Sequence, residues 1–182
     1  MTPENLSKAI VHHYVASYTD GLPDPEDNPT VTMAAVRCTV MDREGFDSLN
    51  VLAQALRQAC YAYSTLQNNP IRDARAHAAG PAPGYVDIMN LTELLMDEQY
   101  PGVPVGYLGA EIYAAASALW ESLYNAIVAA EHGPSADGLS SLSIYFPTSG
   151  PEPEYLDSRM AADTMWDEFL VEFATPQELG LG

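Results

Sequence analysis

Hydrophobic residues at helical spacing dominate the chain. At the N-terminal end, Thr2 has the side chain of an N-cap, Pro3 suits the first helical position, and Glu4 lies near the positive end of the helix dipole. The apolar residues that follow return at spacings typical of an amphipathic helix, and the same periodicity is found in four later segments. The pattern therefore predicts helices over about 3–19, 44–67, 90–99, 109–131 and 160–174, and a shorter helix in "NNPIRDARAHAAG" that stops at Gly80.

Two short segments have the composition of strands. "VTMAAVRCTV" is rich in small and β-branched residues, which predicts a well-buried strand over 31–41, followed by Asp42 as the N-cap of the next helix. "LSIYFP" predicts a strand over 141–146 with Ile144 and Phe146 buried. A short extended piece is expected before the helix that is capped near Asn90. The sequence thus indicates a helix-rich α/β protein with few strands.

The two predicted strands are too few to form a stable sheet. They lie about 100 residues apart, and an isolated strand pair is only marginally stable in water. We therefore expect the segment "SSLSIYFPTSG" to supply an inner strand of a sheet whose neighbours lie partly outside this chain. Some strand edge should then be unpaired, or be covered by a neighbour.

Length and charge restrict the class of protein. The 182 residues, 47% of them apolar, fit one domain or one large piece of a bigger one. Acidic residues number 25 against seven lysines and arginines, which gives a net charge of −18. Nucleic acids and anionic membranes bind cationic surfaces, so neither is expected as a partner. The acidic excess serves solubility or adaptation to salt; calcium binding and attraction of basic peptides are the functional alternatives.

One cluster of acidic residues is the candidate for calcium binding. Asp20, Asp24, Glu26 and Asp27 lie close together, but prolines interrupt them and their spacing is not that of a calcium-binding loop. A solvated loop is the simpler interpretation. No run of about 18 apolar residues is present, so the sequence predicts no membrane span. The first residues lack the cationic start and apolar core of a signal peptide, and the compartment stays open.

Cys60 and His132 are the strongest candidates for a catalytic pair. "QAC" ending at Cys60 and "HG" starting at His132 have the residue types of the caspase nucleophile and base, in which an imidazole takes the proton of a thiol. The chain order is reversed, however, and both residues are predicted within or at the end of helices. The favoured interpretation is therefore a buried thiol and an imidazole at the negative end of a helix dipole, and neither residue is assigned a catalytic role. Cys38, like Cys60, is expected to be buried, and two cysteines make no disulfide framework.

Other combinations of residues give no recognisable site. His12 and His13 are adjacent, so on a helix they point about 100° apart and are poorly placed to chelate one metal ion. Zinc-binding, nucleophile-elbow and phosphate-loop patterns are absent from the sequence. Arg75 and Asp87 are candidates for a buried pair, with a structural role favoured for both.

Four segments, in order, resemble clostripain-like cysteine peptidases. "LSKAIVHHYVASY" is similar to the helix after their catalytic region, and "VTMAAVRCTVMDREGFDSLNVLAQAL" to a strand that ends in Asp and leads into a Leu-rich helix. "ARAHAAGPAPGYVDIMNLTELL" resembles their Ala-Arg, Tyr-Val-Asp-Leu and helix. The most specific piece is "LSIYFP" with Tyr155 and a Trp-x-x-Phe-Leu at residues 166–170; family members have Gly where this chain has Ser141.

The resemblance covers about residues 6–173 and implies the carboxyl-terminal half of such an enzyme. The whole enzyme would have a caspase-like α/β sandwich of clan CD and cleave peptides after Arg or Lys. The family's His-Gly and Asp-x-Cys segments precede the region seen here, so no catalytic residue is assigned. Calcium dependence occurs in the family, but no ligand is assigned either. The expected partner is an amino-terminal catalytic half, and residues 1–182 are a single domain or this half.

The resemblance gives a function and leaves two alternatives. The chain is expected to be a non-catalytic portion that completes the fold and the substrate cleft. One alternative is a stand-alone interaction module or pseudo-peptidase. The other is a self-sufficient thiol hydrolase that uses Cys38 or Cys60.

Overall fold

The computed structural model describes residues 1–19, 31–38, 46–63, 69–97, 107–134, 136, 139 and 142–175. These residues form a helix-rich mixed α/β structure with two small antiparallel sheets. In chain order the helices are α1 (Pro3–Thr19), α2 (Phe46–Tyr63), α3 (Pro70–His77), α4 (Ile88–Met96), α5 (Tyr107–Ala126), α6 (Pro153–Leu156), α7 (Arg159–Asp163) and α8 (Trp166–Ala174). The strands are β1 (Thr32–Val36), β2 (Tyr85–Asp87), β3 (Ile127–His132) and β4 (Ser143–Tyr145).

The helices confirm most of the predicted periodicity. Helix α1 has the predicted bounds, and the Thr2 hydroxyl accepts the backbone N–H of Asn5 at 3.2 Å, as an N-cap does. Helix α4 begins two residues earlier than predicted. Its cap is Asp87, whose Oδ1 accepts the N–H of Asn90 at 3.0 Å, so Asn90 itself was the wrong cap. Helix α3 ends at His77, three residues before Gly80.

One predicted helix is wrong at its C-terminal end. The segment predicted as helical over 109–131 is helical only to Ala126, and Ile127–His132 form β3. The backbone hydrogen bonds to β1 stabilise a strand here more than the helical spacing of apolar residues stabilises a helix. The β-branched side chains of Ile127 and Val128 also favour the strand. His132 therefore lies at a strand end, and the predicted interaction with a helix dipole does not exist.

The C-terminal helical segment is divided. In place of one helix over 160–174, α7 and α8 are separated at Thr164, whose hydroxyl donates to the Met160 carbonyl at 2.6 Å. The same oxygen accepts the N–H of Trp166 at 3.3 Å and so begins α8. The short α6 was not predicted. Asp42, the cluster at 20–27 and residues 39–45, 64–68, 98–99 and 141 lie outside the described residues.

Sheet I pairs β1 with β3, and sheet II pairs β2 with β4. In sheet I, Thr32 lies opposite His132 and Ala34 opposite Ala130, with a bulge between Ala35 and Val36. In sheet II, Val86 lies opposite Ile144. The two predicted strands, β1 and β4, therefore do not pair with each other. The partner of β1 is β3, which was predicted as helix, and the partner of β4 is β2, which was predicted only as a short extended piece.

The core lies between the helices and sheet II. Its fully enclosed side chains come from α2, α3, α4, α5, α8, β2 and the residue after β4, and include Leu52, Leu56, Ile71, Val86, Leu91, Leu119, Leu123, Phe146, Trp166, Phe169 and Leu170. Sheet I packs against α1 through Val11 and Val15. Strand β1 was predicted to be well buried, and this was wrong: Thr32 is exposed and the following four residues are only half-buried.

The edges of sheet II are covered by the chain itself. The N–H groups of Tyr85 and Asp87 donate to the carbonyls of Ala82 and Ala79, at 3.1 and 2.7 Å. The close approach needs Gly80, because a Cβ added there would lie 2.0 Å from the Tyr85 carbonyl oxygen. On the other edge, the Tyr145 carbonyl accepts the indole N–H of Trp166 at 2.7 Å. Strand β4 is therefore not open to a further strand at Tyr145, contrary to the inner-strand prediction.

Candidate functional site

An aromatic cluster joins β4 to α8. Phe146 follows β4 and is fully buried, as predicted for it and for Ile144. Its ring lies edge-on to three rings of α8, with centroid distances of 5.6 Å to Trp166, 5.2 Å to Phe169 and 4.9 Å to Phe173. Edge-to-face geometry is the favourable arrangement for aromatic pairs. These four residues are called the β4–α8 cluster below.

Two polar contacts fix the orientation of the β4–α8 cluster. The Trp166 indole donates to the Tyr145 carbonyl, and the Arg75 guanidinium of α3 donates to the Phe146 carbonyl. The Arg75 guanidinium carbon also lies 5.5 Å from the centre of the Phe146 ring. Burial lowers the pKa of Arg75. Arg75 thus links α3 to Phe146, the residue that follows β4.

Arg75 and Asp87 were candidates for a buried pair, and the structure gives them different partners. Arg75 bonds to the Phe146 carbonyl, whereas Asp87 is buried and accepts the Asn90 N–H at the start of α4. The role of both side chains is structural, as favoured from the sequence. The contact of Arg75 with Phe146 was not predicted, although the Ala-Arg of the resemblance includes Arg75.

Cys60 has the environment of a core thiol. It lies on α2 and is 5% exposed. Burial, with a smaller contribution from the negative charge of Glu172, raises the pKa of Cys60 to about 12. A thiol with so high a pKa is protonated near neutral pH, and the thiolate is the nucleophilic form. Cys60 is therefore unsuited to attack a peptide carbonyl.

The structure does not bring Cys60 and His132 together as a pair. Cys60 belongs to the core at α2, near Glu172 of α8 and Arg72 of α3. His132 is exposed at the end of β3, where its Nδ1 lies 2.9 Å from the Gly133 carbonyl. The prediction for Cys38 was wrong, since this thiol is exposed just beyond β1.

Histidines and carboxylates do not gather into a metal site in the described ranges. The rings of His12 and His13 are 5.7 Å apart with their planes at 55°, and His12 Nδ1 contacts a carboxylate oxygen of Glu131 at 3.2 Å. Within the described part of the chain, no group of three or more His, Cys, Asp or Glu side chains is placed to hold a metal ion. A calcium site cannot be assigned to any described residue.

One open groove lies between α2 and α5. It encloses about 440 Å³ and its lining includes Val51, Gln54, Gln58, Glu111 and several alanines. Neither a thiol, a serine hydroxyl nor an imidazole is among these lining residues, and Glu111 is their one carboxylate, so the groove lacks the nucleophile–imidazole pair of a cysteine or serine hydrolase.

Comparison with protein-family models, with curated proteins and with solved structures finds no match for this chain. Among the described helices, none has the length and apolar character needed to span a membrane.

Proposed function

We propose that this chain is the non-catalytic carboxyl-terminal portion of a clostripain-like cysteine endopeptidase of caspase-like fold. Its role is to complete the fold and to form part of the wall of the substrate cleft. The catalytic His and Cys belong to an amino-terminal half. The complete enzyme cleaves peptides after Arg or Lys.

One observation carries the proposal: the third and fourth of the segments with family resemblance form one packed unit although they lie far apart in sequence. The Tyr-Val-Asp segment is β2, and it pairs with β4 of the "LSIYFP" segment. Trp166, from the Trp-x-x-Phe-Leu segment, donates to Tyr145 at the end of β4. Arg75, from the Ala-Arg segment, donates to Phe146. Because these residues contact one another in the fold, a shared structural role explains why their segments occur together in one chain.

A non-catalytic role agrees with the state of the thiols. The Cys60 thiol is buried and protonated near neutral pH, and His132 lies in another part of the fold. Cys38 is exposed, and the hydrogen bonds seen for His12, His77 and His132 in the described part of the chain go to other residues. The chain thus contributes packing rather than a nucleophile.

The charge of the chain suits the proposed substrates. A net charge of −18 attracts peptides with Arg or Lys and raises their concentration near the cleft. Screening by salt weakens this attraction, because the Debye length is about 8 Å at physiological ionic strength.

The test is a cleavage assay with three samples. They are this chain, a separately produced polypeptide with the His-Gly and Asp-x-Cys segments encoded upstream of Met1, and the two together. A fluorogenic peptide with Arg at the cleavage position is the substrate, and a Glu peptide of the same length is the control. We expect cleavage of the Arg peptide by the mixture and none by this chain alone. Cys60→Ala in this chain should leave the rate of the mixture unchanged.

Two results would contradict the proposal. Cleavage by the isolated chain that Cys60→Ala abolishes would make it a self-sufficient thiol hydrolase. An upstream sequence without those segments, or a catalytic half whose activity does not depend on this chain, would favour a stand-alone interaction module.

A further inference from the structure

A second pocket, of about 500 Å³, lies where α1 meets the end of α5 and the start of β3. Small-molecule sites usually enclose about 300–1,000 Å³, so the pocket has room for a small ligand. Glu4 and Lys8 line it from α1, Arg37 from beyond β1, and Tyr124 from the last turn of α5. Its apolar lining comes from α4 and β3 and consists of Met89, Ile127 and Val128. The pocket therefore combines charged groups with apolar surface.

The positive charge in this pocket is unusual for the chain. The net charge of the chain is −18, yet the lining includes Lys8, which is its one lysine, and Arg37. Glu4 is the one carboxylate among the lining residues. Two positive charges and one negative leave a net charge of about +1 at neutral pH. A singly charged anion such as a carboxylate balances this excess, whereas a doubly charged phosphate exceeds it.

Glu4 shows that the two cations converge on one point. Its Oε1 lies 3.5 Å from Lys8 Nζ and 3.3 Å from Arg37 Nη2. Arg37 is held at the end of α5, because its backbone N–H donates to the Ala126 carbonyl and its Nη1 to the Asn125 carbonyl, both at 2.8 Å. Among the described residues, neither cationic side chain makes a further hydrogen bond. An ammonium has three donors and a guanidinium five, so both retain donors for a second carboxylate.

Tyr124 provides an aromatic surface beside these cations. Its side chain is 62% exposed, and its ring stacks on that of Trp120 with centroids 5.1 Å apart and planes at 10°. The Trp120 indole N–H donates to a carboxylate oxygen of Glu93 at 3.1 Å, which holds the stack in place. A rigid aromatic side chain loses little conformational entropy when a ligand packs against it. The pocket therefore favours a ligand with an aromatic group.

A structural role accounts for only part of this arrangement. Arg37 bonds to carbonyls at the C-terminal end of α5, as basic side chains often do at helix ends. The contacts of Glu4 with Lys8 and Arg37 are different, because all three side chains are about half exposed. Exposed ion pairs contribute little to stability. The need for a stable fold therefore does not explain why a lysine and an exposed tyrosine lie together here.

We propose that this pocket binds a carboxylate that carries an aromatic group. The carboxylate bonds to the remaining donors of Lys8 and Arg37, beside Glu4, and the aromatic group packs against Tyr124. Free aromatic acids have this chemistry, and so does the carboxyl terminus of a peptide whose last residue is aromatic. The inference is independent of the function proposed above, since it needs neither a catalytic half nor a thiol.

Calorimetric titration of the full chain tests the chemistry of the ligand. The probe is N-acetylphenylalanine, and the matched controls are its uncharged amide, acetate and inorganic phosphate. The acid should bind with a dissociation constant below about 1 mM. The amide and acetate should bind at least about 10-fold more weakly, because one lacks the charge and the other the ring. Addition of the acid should shift the amide resonances of Lys8, Arg37 and Asn125 in nuclear magnetic resonance spectra.

Variants of exposed side chains test the site itself. Lys8→Gln should weaken binding of the acid about 10-fold, whereas Arg159→Gln, which removes the same charge from a side chain 93% exposed on α7, should not. Tyr124→Ala should weaken binding about 10-fold, and Tyr113→Ala, on the same helix and 47% exposed, should have no effect. Glu4→Gln should strengthen binding at least about 3-fold, because a like charge is removed and donors are released. An unchanged near-UV circular dichroism spectrum shows that each variant folds.

The outcomes identify the source of the ligand or overturn the inference. A peptide that ends in phenylalanine is titrated with a free and with an amidated terminus. If the free form binds at least about 10-fold more tightly than N-acetylphenylalanine, a peptide terminus is the ligand, and if it binds more weakly, a free acid is. A dissociation constant of the acid above about 1 mM, equal binding of acid and amide, or phosphate binding as tight as that of the acid would overturn the inference. So would equal effects of Lys8→Gln and Arg159→Gln.

Discussion

Truncation of Phe146 tests whether the β4–α8 cluster holds the carboxyl-terminal segments together. Phe146 is fully buried and makes edge-to-face contacts with Trp166, Phe169 and Phe173 at 4.9–5.6 Å. Phe→Ala in a core costs about 3–5 kcal/mol. Each aromatic pair contributes about 0.5–1.5 kcal/mol beyond burial, so Phe146→Ala should lie at the upper end of that range.

The assay is urea unfolding followed by circular dichroism, with the free energy obtained by linear extrapolation. Domains of this size are stable by about 5–15 kcal/mol, so Phe146→Ala can leave too little folded protein to measure. Phe146→Leu keeps most of the volume and should cost about 1–2 kcal/mol. Tyr113→Ala is the matched control, because this aromatic side chain on α5 is 47% exposed and its loss should change the free energy by less than about 0.5 kcal/mol. Equal effects of Phe146→Ala and Tyr113→Ala would refute the reasoning.

Four further predictions follow from local contacts. Iodoacetamide at pH 8 should alkylate the exposed Cys38 at least about 10-fold faster than the buried Cys60. In urea the two thiols should react at equal rates, and fast modification of Cys60 in the native protein would contradict its burial. Folding raises the pKa of Cys60 from 9.0 to about 12, so the stabilisation by its protonated thiol is complete below pH 9 and is lost as the pH rises toward 12. Over this range the unfolding free energy of Cys60→Ala should therefore fall less than that of the unsubstituted protein. Gly80→Ala places a Cβ 2.0 Å from the Tyr85 carbonyl oxygen and should destabilise the protein by about 1–3 kcal/mol in urea unfolding, whereas an unchanged midpoint would contradict the close approach. Asn69→Ala removes the cap of α3, which accepts two backbone N–H groups at 3.0 and 3.3 Å, and should lower the unfolding free energy by about 1 kcal/mol, a value that Asn69→Asp should largely restore.

The sequence was sufficient where a pattern is local. The N-cap at Thr2 and the burial of Ile144 and Phe146 follow from residue types within a few positions, and the structure confirms them. Helix α1 has the predicted bounds for the same reason.

The errors occur where distant segments decide the conformation. Ile127–His132 continue the helical spacing of α5, but β1 offers a ladder of backbone hydrogen bonds, and the segment becomes β3. The break at Thr164 depends on a hydroxyl that bonds both Met160 and Trp166, which periodicity does not reveal.

The sequence predicted only some of the residues and contacts of the candidate site. Arg75 and Asp87 were selected as a pair, but their partners, the Phe146 carbonyl and the Asn90 N–H, depend on how α3, β4 and α4 meet. The predicted burial of Cys38 failed because the residue lies past the end of β1, where no described element covers it.

The location of the reactive cysteine tests the central claim most directly. A peptidyl-arginine chloromethyl ketone, which alkylates a catalytic thiolate, is applied to this chain, to the proposed amino-terminal catalytic half and to their mixture. The labelled residue is then identified by mass spectrometry. We predict that the label is on the cysteine of the Asp-x-Cys segment in the mixture, and that neither Cys38 nor Cys60 is labelled stoichiometrically in any sample. Stoichiometric labelling of Cys38 or Cys60 in the isolated chain would contradict the account.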